Sequence, residues 1–187
     1  MLSKSRAFVF VAAAIAAVVI GYAAFLAAQI SQSGAGQRQV WTEVSWPFAR
    51  DLWGPGRAFK CAAADCGREV RLYLRAKLGF CNCTSALDDD MVERVGDIDL
   101  LAKERETLGA GREIAVRWMK GRSRGYAVTE GGVAARSALA IAFHDRCDLI
   151  VATAAIEGPR PGDLEANVLE FLNSDLVLRW AEVTLGL

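Results

Sequence analysis

The stretch that most restricts what this chain can become runs from Lys60 to Cys83, KCAAADCGREVRLYLRAKLGFCNC. Its middle alternates, with Val70, Leu72, Leu74 and Ala76 on one side and Arg71, Tyr73, Arg75 and Lys77 on the other. That period of two is the pattern of a strand with one face buried and the other in water. Cys61 and Cys66 stand before the strand, and Cys81 and Cys83 after it. At ~3.3 Å per residue an extended strand from 69 to 78 holds the two pairs some ~30 Å or more apart. A single four-thiolate site therefore requires the chain to fold back at Gly79, and the spacing lacks the C-x-x-C knuckles of a zinc ribbon. A disulfide between Cys61 and Cys66, closing the turn before the strand, is the simpler expectation. Cys81 and Cys83, if extended, lie near the ~7 Å limit for a bridge, so either is better placed to reach Cys147.

Five cysteines in 187 residues are many for a reducing compartment and ordinary for an oxidising one. The compartment is also marked at the N-terminus. Lys4 and Arg6 precede a run without charge from Ala7 to Ala28, AFVFVAAAIAAVVIGYAAFLAA, close to the ~20 apolar residues that a bilayer core requires. A cleaved signal peptide has a shorter apolar region of ~7–15 residues and a small-residue cleavage site, and Leu26-Ala27-Ala28 is a mediocre one. The expected reading is an uncleaved signal anchor over residues 1–29, with the basic N-terminus in the cytoplasm and the rest across the bacterial inner membrane, in the periplasm. Residues 30–40, polar and glycine-bearing, read as a tether, and 41–187 as one extracytoplasmic domain. Lysine plus arginine and aspartate plus glutamate balance at 22 each, so no global field favours nucleic acid, which is excluded as a partner.

Beyond the tether, WTEVSWPFARDLWGPG crowds Trp41, Trp46, Phe48 and Trp53 together, with Ser45 and Pro47 suited to open a short helix. Either these rings cover one end of the sheet or they form an interfacial or partner-docking surface. Arg57–Cys61 reads as a strand pairing with 69–78. Asp88, Asp89 and Asp90 suit a helix N-terminus, where carboxylates meet free N–H groups. The EF-hand pattern fails here, because Val92 stands where an oxygen ligand belongs. Glu113–Trp118 and Arg124–Val128 flank MKGRSRG as a hairpin whose basic tip carries Lys120, Arg122 and Arg124. Ser137–Phe143 and Leu149–Ile156 form a second hairpin, and from Asp163 onward apolar residues recur at helical spacing. The expected fold is α+β: an N-terminal transmembrane helix, then a mainly antiparallel sheet with C-terminal helices packed on one face.

Two constellations remain for function. Cys81 and Cys83 opposite His144 and Cys147 offer three thiolates and the chain's one imidazole, a set suited to Cu(I) or Zn(II). The rival outcome for these residues is a structural disulfide from Cys147 with a turn-capping His144. Hydrolytic chemistry lacks a G-x-S-x-G elbow, and neither a Walker A loop nor a G-x-G-x-x-G fingerprint is present. The sequence thus predicts a non-enzymatic, membrane-anchored periplasmic protein without a cofactor, which binds and supports a membrane or periplasmic protein complex through Trp41, Trp46, Trp53, Arg122 and Arg124. The alternative is a copper or thiol-handling assembly factor using Cys81, Cys83, Cys147 and His144.

Overall fold

The computed structural model describes residues 39–79, 87–130 and 133–187, which form one compact unit. The expected anchor, the tether up to residue 38, Cys81 and Cys83 lie outside the described residues. Among those described, no helix is long and apolar enough to cross a membrane.

Strands β1 (Trp41–Val44), β2 (Arg57–Cys61) and β3 (Val70–Lys77) pair antiparallel in sequence order. A single helical turn, α1 (Ala63–Cys66), sits between β2 and β3. After helix α2 (Asp89–Val95) and a 3₁₀ turn (Asp97–Leu100) come β4 (Arg105–Thr107), β5 (Arg112–Val116), β6 (Met119–Glu130), β7 (Val133–Asp145) and β8 (Asp148–Glu157). The sheet runs β1-β2-β3-β8-β7-β6-β4, with β5 also paired to β6. Helices α3 (Leu164–Leu172) and α4 (Asp175–Leu185) close the chain. The α+β reading therefore holds, and β1 is a strand that the sequence reading missed; residues 45–56, where it expected a short helix, contain none.

Each face of the sheet has its own core. Leu72 and Leu74 of β3, Ile150, Ala152 and Ala154 of β8, and Leu139, Ile141 and Phe143 of β7 pack against Leu164, Val168 and Leu172 of α3 and Val177 and Ala181 of α4. The apolar stripe read at 164–172 is the one buried, because Leu164, Val168, Phe171 and Leu172 recur on one side of the helix. Gly121, on this face, lies so close to β7 that a Cβ there would stand 2.6 Å from the Ala142 carbonyl and 2.8 Å from the Phe143 Cβ. The opposite face buries Tyr126, Val128, Ala138, Ala140, Ala142 and Val151 beneath Met91, Val92 and Val95 of α2 and Ile98. Asp88 caps α2 by accepting from the Met91 N–H at 2.7 Å, as its run of aspartates led us to expect.

Both hairpins turn through two residues. Val116 pairs with Met119 and Asp145 with Asp148, and Arg117 and Arg146 adopt left-handed φ of 53° and 54°. Side-chain-bearing residues avoid that region, so neither turn carries the Asn-Gly or Asp-Gly signature that marks a tight hairpin. The correction at the first is material: Lys120, Arg122 and Arg124 are strand residues of β6, and the tip is Arg117-Trp118.

Candidate functional site

Strand β3 is buried on both sides. Leu72 and Leu74 meet the helices as expected, whereas Tyr73, Arg75 and Lys77, expected in water, are also buried; Arg71 alone of its row is exposed. The cover is the Trp46–Trp53 segment together with α2 and the 3₁₀ turn. Arg75 donates through Nε to Asp97 Oδ2 at 2.7 Å and through a terminal nitrogen to Asp51 Oδ2 at 2.6 Å. Lys77 Nζ donates to the Val95 carbonyl at 2.7 Å and lies 2.9 Å from Asp97 Oδ1. Two buried cations are thus matched by Asp97 and by Asp51 at the rim, which is what burial of charge requires.

That network shapes the covering segment. Asp51 Oδ1 accepts from the Trp53 N–H at 2.9 Å, while the Gly54 N–H donates to the Asp51 carbonyl at 3.1 Å, closing a tight turn. Partial burial works against ionisation of Asp51, yet the hydrogen bonds from Arg75 and the Trp53 N–H outweigh it and hold the carboxyl below its usual range. Trp46 and Phe48 meet Tyr73 edge-on at centroid separations of 6.0 and 4.8 Å. The Arg75 guanidinium stands 5.7 Å from the Trp46 ring and the Lys77 ammonium 5.4 Å from the Trp53 ring.

Where this cover stops, the same face opens into a trough. The register places Arg71 beside Ala155, and Glu157 beside Arg136, which is in turn beside Val128. One groove of about 430 Å³ is lined by Glu69, Arg71, Tyr73, Leu101, Arg136 and Glu157. A second of about 300 Å³ shares Leu101 and Arg136 and continues to Lys103, Glu104 and Thr129. Charges alternate along it: Arg71 Nε donates to Glu69 at 3.0 Å, Lys60 Nζ lies 2.6 Å from Glu69, and Arg136 Nε is 3.5 Å from Glu157. Hydrogen bonds from Lys60 and then Arg71 hold the Glu69 carboxyl below its ordinary value. Such a surface is shaped for a polar partner that exchanges ion pairs along its length.

The residues singled out from sequence are dispersed. Trp41 stacks on Phe171 at 4.7 Å on the helix side, Trp46 is part of the cover, and Trp53 lies at its edge. Arg122 binds Asp89 and the Gly111 carbonyl, and Arg124 donates to Glu93 at 3.0 Å, so both hold α2 against the sheet. The Gly111 N–H and then Arg122 keep the Asp89 carboxyl below its ordinary range. Cys61 and Cys66 form a disulfide, as expected, with Cα atoms 6.0 Å apart. Cys147 is also disulfide-bonded, which leaves it no thiolate to give a metal while oxidised. His144 Nδ1 lies 3.3 Å from the Arg146 carbonyl. Among the described residues no group of three or more His, Cys, Asp or Glu is placed to hold a metal ion. Sequence reasoning missed Glu69, Arg136 and Glu157, because only the register of β3, β8 and β7 puts them in one row.

No protein-family model matches the chain, and no curated protein does. Among solved structures, a protein of unknown function from Pseudomonas aeruginosa is similar, with 15% identity, 82% of this chain and 85% of that chain covered, and a TM-score of 0.35. A likeness at that score carries no argument about function. The class rests on the domain itself: an antiparallel sheet clamped by side-chain ion pairs on one face and bearing a charged open trough.

Proposed function

We propose that this chain is a non-enzymatic, single-pass protein of the bacterial envelope, anchored through residues 7–28, whose periplasmic domain binds and supports a membrane or periplasmic protein. The observation that carries the reading is the trough. Its floor belongs to central strands, so it is rigid, and its walls present paired charges of both signs with Tyr73 and Leu101 between them. Rigid polar walls lose little entropy on docking, and matched charges select a partner of complementary pattern more than they add raw affinity. Arg122 and Arg124 are engaged in holding α2, which moves the contact surface from the residues first expected to Arg71 and Arg136.

The test is a mild-detergent pull-down from the native membrane through a C-terminal tag, comparing the wild-type chain with Arg71→Glu/Arg136→Glu. A defined protein recovered with the wild type and lost from the reversal, at unchanged thermal midpoint, supports the proposal. Recovery of the chain alone, or equal recovery of the partner with both forms, overturns it.

A further inference from the structure

The opposite end of the sheet carries large exposed apolar side chains among its charges. Lys77, Leu149, His144 and Lys120 form one cross-strand row near that end, and beyond it the chain leaves large apolar side chains in water. Leu52 is fully exposed on the turn fixed by Asp51 and Arg75, and Leu78 is about half exposed just past β3. Trp53, Leu52, Pro55, Ala76, Leu78 and Trp180 line a groove of about 410 Å³. Helix α4 carries a second stripe besides its buried one, Leu176, Trp180 and Val183 at spacings of four and three, with Leu176 and Val183 exposed. The hairpin tip adds Trp118, also exposed, and is tied to the C-terminal end of α3 by the Arg117 N–H donating to Asn173 Oδ1 at 2.9 Å.

An exposed leucine is unremarkable alone, but a contiguous apolar rim marks a contact surface. Three observations specify a lipid bilayer as what it contacts. Tryptophan and leucine projecting from fixed turns are the side chains that partition into the headgroup region. Arg50 and Arg179 are exposed beside Leu52 and Trp180, and neither forms an ion pair with the described residues, which leaves both for lipid phosphates. The chain length also permits contact: the uncharged run ends at Ala28, and the eleven residues from there to Gln39, which leads into β1 at the trough end, span at most ~40 Å if fully extended. That reach exceeds the ~26 Å length of β3, so the far end of the sheet is within range of the surface.

We propose that the rim formed by Leu52, Trp53, Leu78, Trp118 and Trp180 lies in the interface of the bilayer that holds the anchor, leaving the charged trough at the other end turned away from it. This rests on the anchored topology proposed above. The five tryptophans, Trp41, Trp46, Trp53, Trp118 and Trp180, all belong to the domain and none to residues 1–38, so tryptophan emission reports on the domain even when the anchor shares the same membrane.

The experiment reconstitutes the full-length chain in vesicles of phosphatidylcholine and phosphatidylglycerol, with and without bromine on the acyl chains. Brominated vesicles are expected to quench part of the emission. Trp53→Phe/Trp118→Phe/Trp180→Phe, which retains Trp41 and Trp46, loses that quenching, and Leu52→Asp/Leu78→Asp, altering two exposed positions, reduces it at unchanged thermal midpoint. Replacing phosphatidylglycerol by phosphatidylcholine weakens it as well. If the chain floats with the vesicles but emits equally in both kinds, the rim does not touch lipid and the proposal falls while the anchor stands; equal emission together with a dimeric mass in detergent assigns the rim to a second copy. If the full chain does not float at all, the anchored topology falls too.

Discussion

The two faces of the sheet solve the same packing problem by different means. The helix face is predominantly apolar: β3, β8 and β7 supply Leu, Ile, Ala and Phe, and α3 and α4 answer with Leu, Val and Phe. The other face mixes Val and Ala with Arg75, Lys77, Arg122 and Arg124, and its cover is fastened by Asp51, Asp97, Asp89 and Glu93. A helix whose apolar stripe matches a sheet docks in register with little need for charge. Segment 45–56 is irregular and 87–100 holds only a short helix and a 3₁₀ turn, so directed ion pairs supply the specificity that broad apolar packing supplies opposite. A buried ion network tends to give specificity more than net stability, because desolvation offsets the Coulomb attraction.

The sharpest way to break this contrast is Arg75→Ala. It leaves Asp97 buried with Lys77 alone, and breaking a buried pair costs ~3–5 kcal/mol, read as a lower urea midpoint at unchanged slope. Replacing Arg75 and Lys77 by Met and Asp97 by Leu together is expected to recover most of that loss. A triple variant as unstable as the single one contradicts the account of this face. On the helix face, Leu172→Ala is expected to cost ~2–5 kcal/mol through lost transfer energy and the cavity left behind, with the wild-type dependence on pH retained.

Smaller effects sharpen the comparison. Replacing Cys61 and Cys66 by Ala opens a short loop and is expected to lower stability by ~2 kcal/mol on chain entropy, seen as a lower thermal midpoint; parental stability would mean that the pairing of β2 and β3 suffices. Acid separates the faces directly. Asp51 and Asp89 have folded pKa values below their ordinary ones, so the stability they confer is fully present above about pH 4, the unfolded range, and is lost as pH falls through the lowered folded values. Thermal midpoints measured from pH 6 downward should fall for the wild type and for Leu172→Ala alike, and less for Asp51→Asn/Asp89→Asn. At the exposed edge, Arg57 and Glu43 pair at 2.6 Å. Glu43→Gln is nonetheless expected to change stability by only ~0–1 kcal/mol, since solvent screens the pair; a larger loss in denaturant titration would show that the edge strand β1 depends on it.

Legibility in the sequence follows the same division. The alternation at 70–77, the stripe at 164–172 and the aspartates before α2 each express a local rule, and each element formed where expected. The polar row of β3 misled because alternation reports polarity, and a polar side chain looks the same in sequence whether it meets water or a buried aspartate. The Trp-rich segment showed its aromatic content but not its function as a lid, which depends on Asp51 and Asp97 reaching Arg75 across separations of 24 and 22 residues. The hairpin tip was drawn too wide because Arg117 occupies a backbone region that its residue type disfavours.

By itself, then, the amino-acid order determined the period-two strands, the amphipathic closing helix, the capped acidic helix and the Cys61–Cys66 staple, because each arises from neighbours within a few residues. Only the tertiary structure decided that β3 is covered on both faces, that Arg122 and Arg124 of β6 bind the carboxylates of α2, and that Arg71, Glu157 and Arg136 share one trough. Those outcomes depend on strand register and on charges paired across distant segments, and a one-residue change of register would send every side chain concerned to the other face.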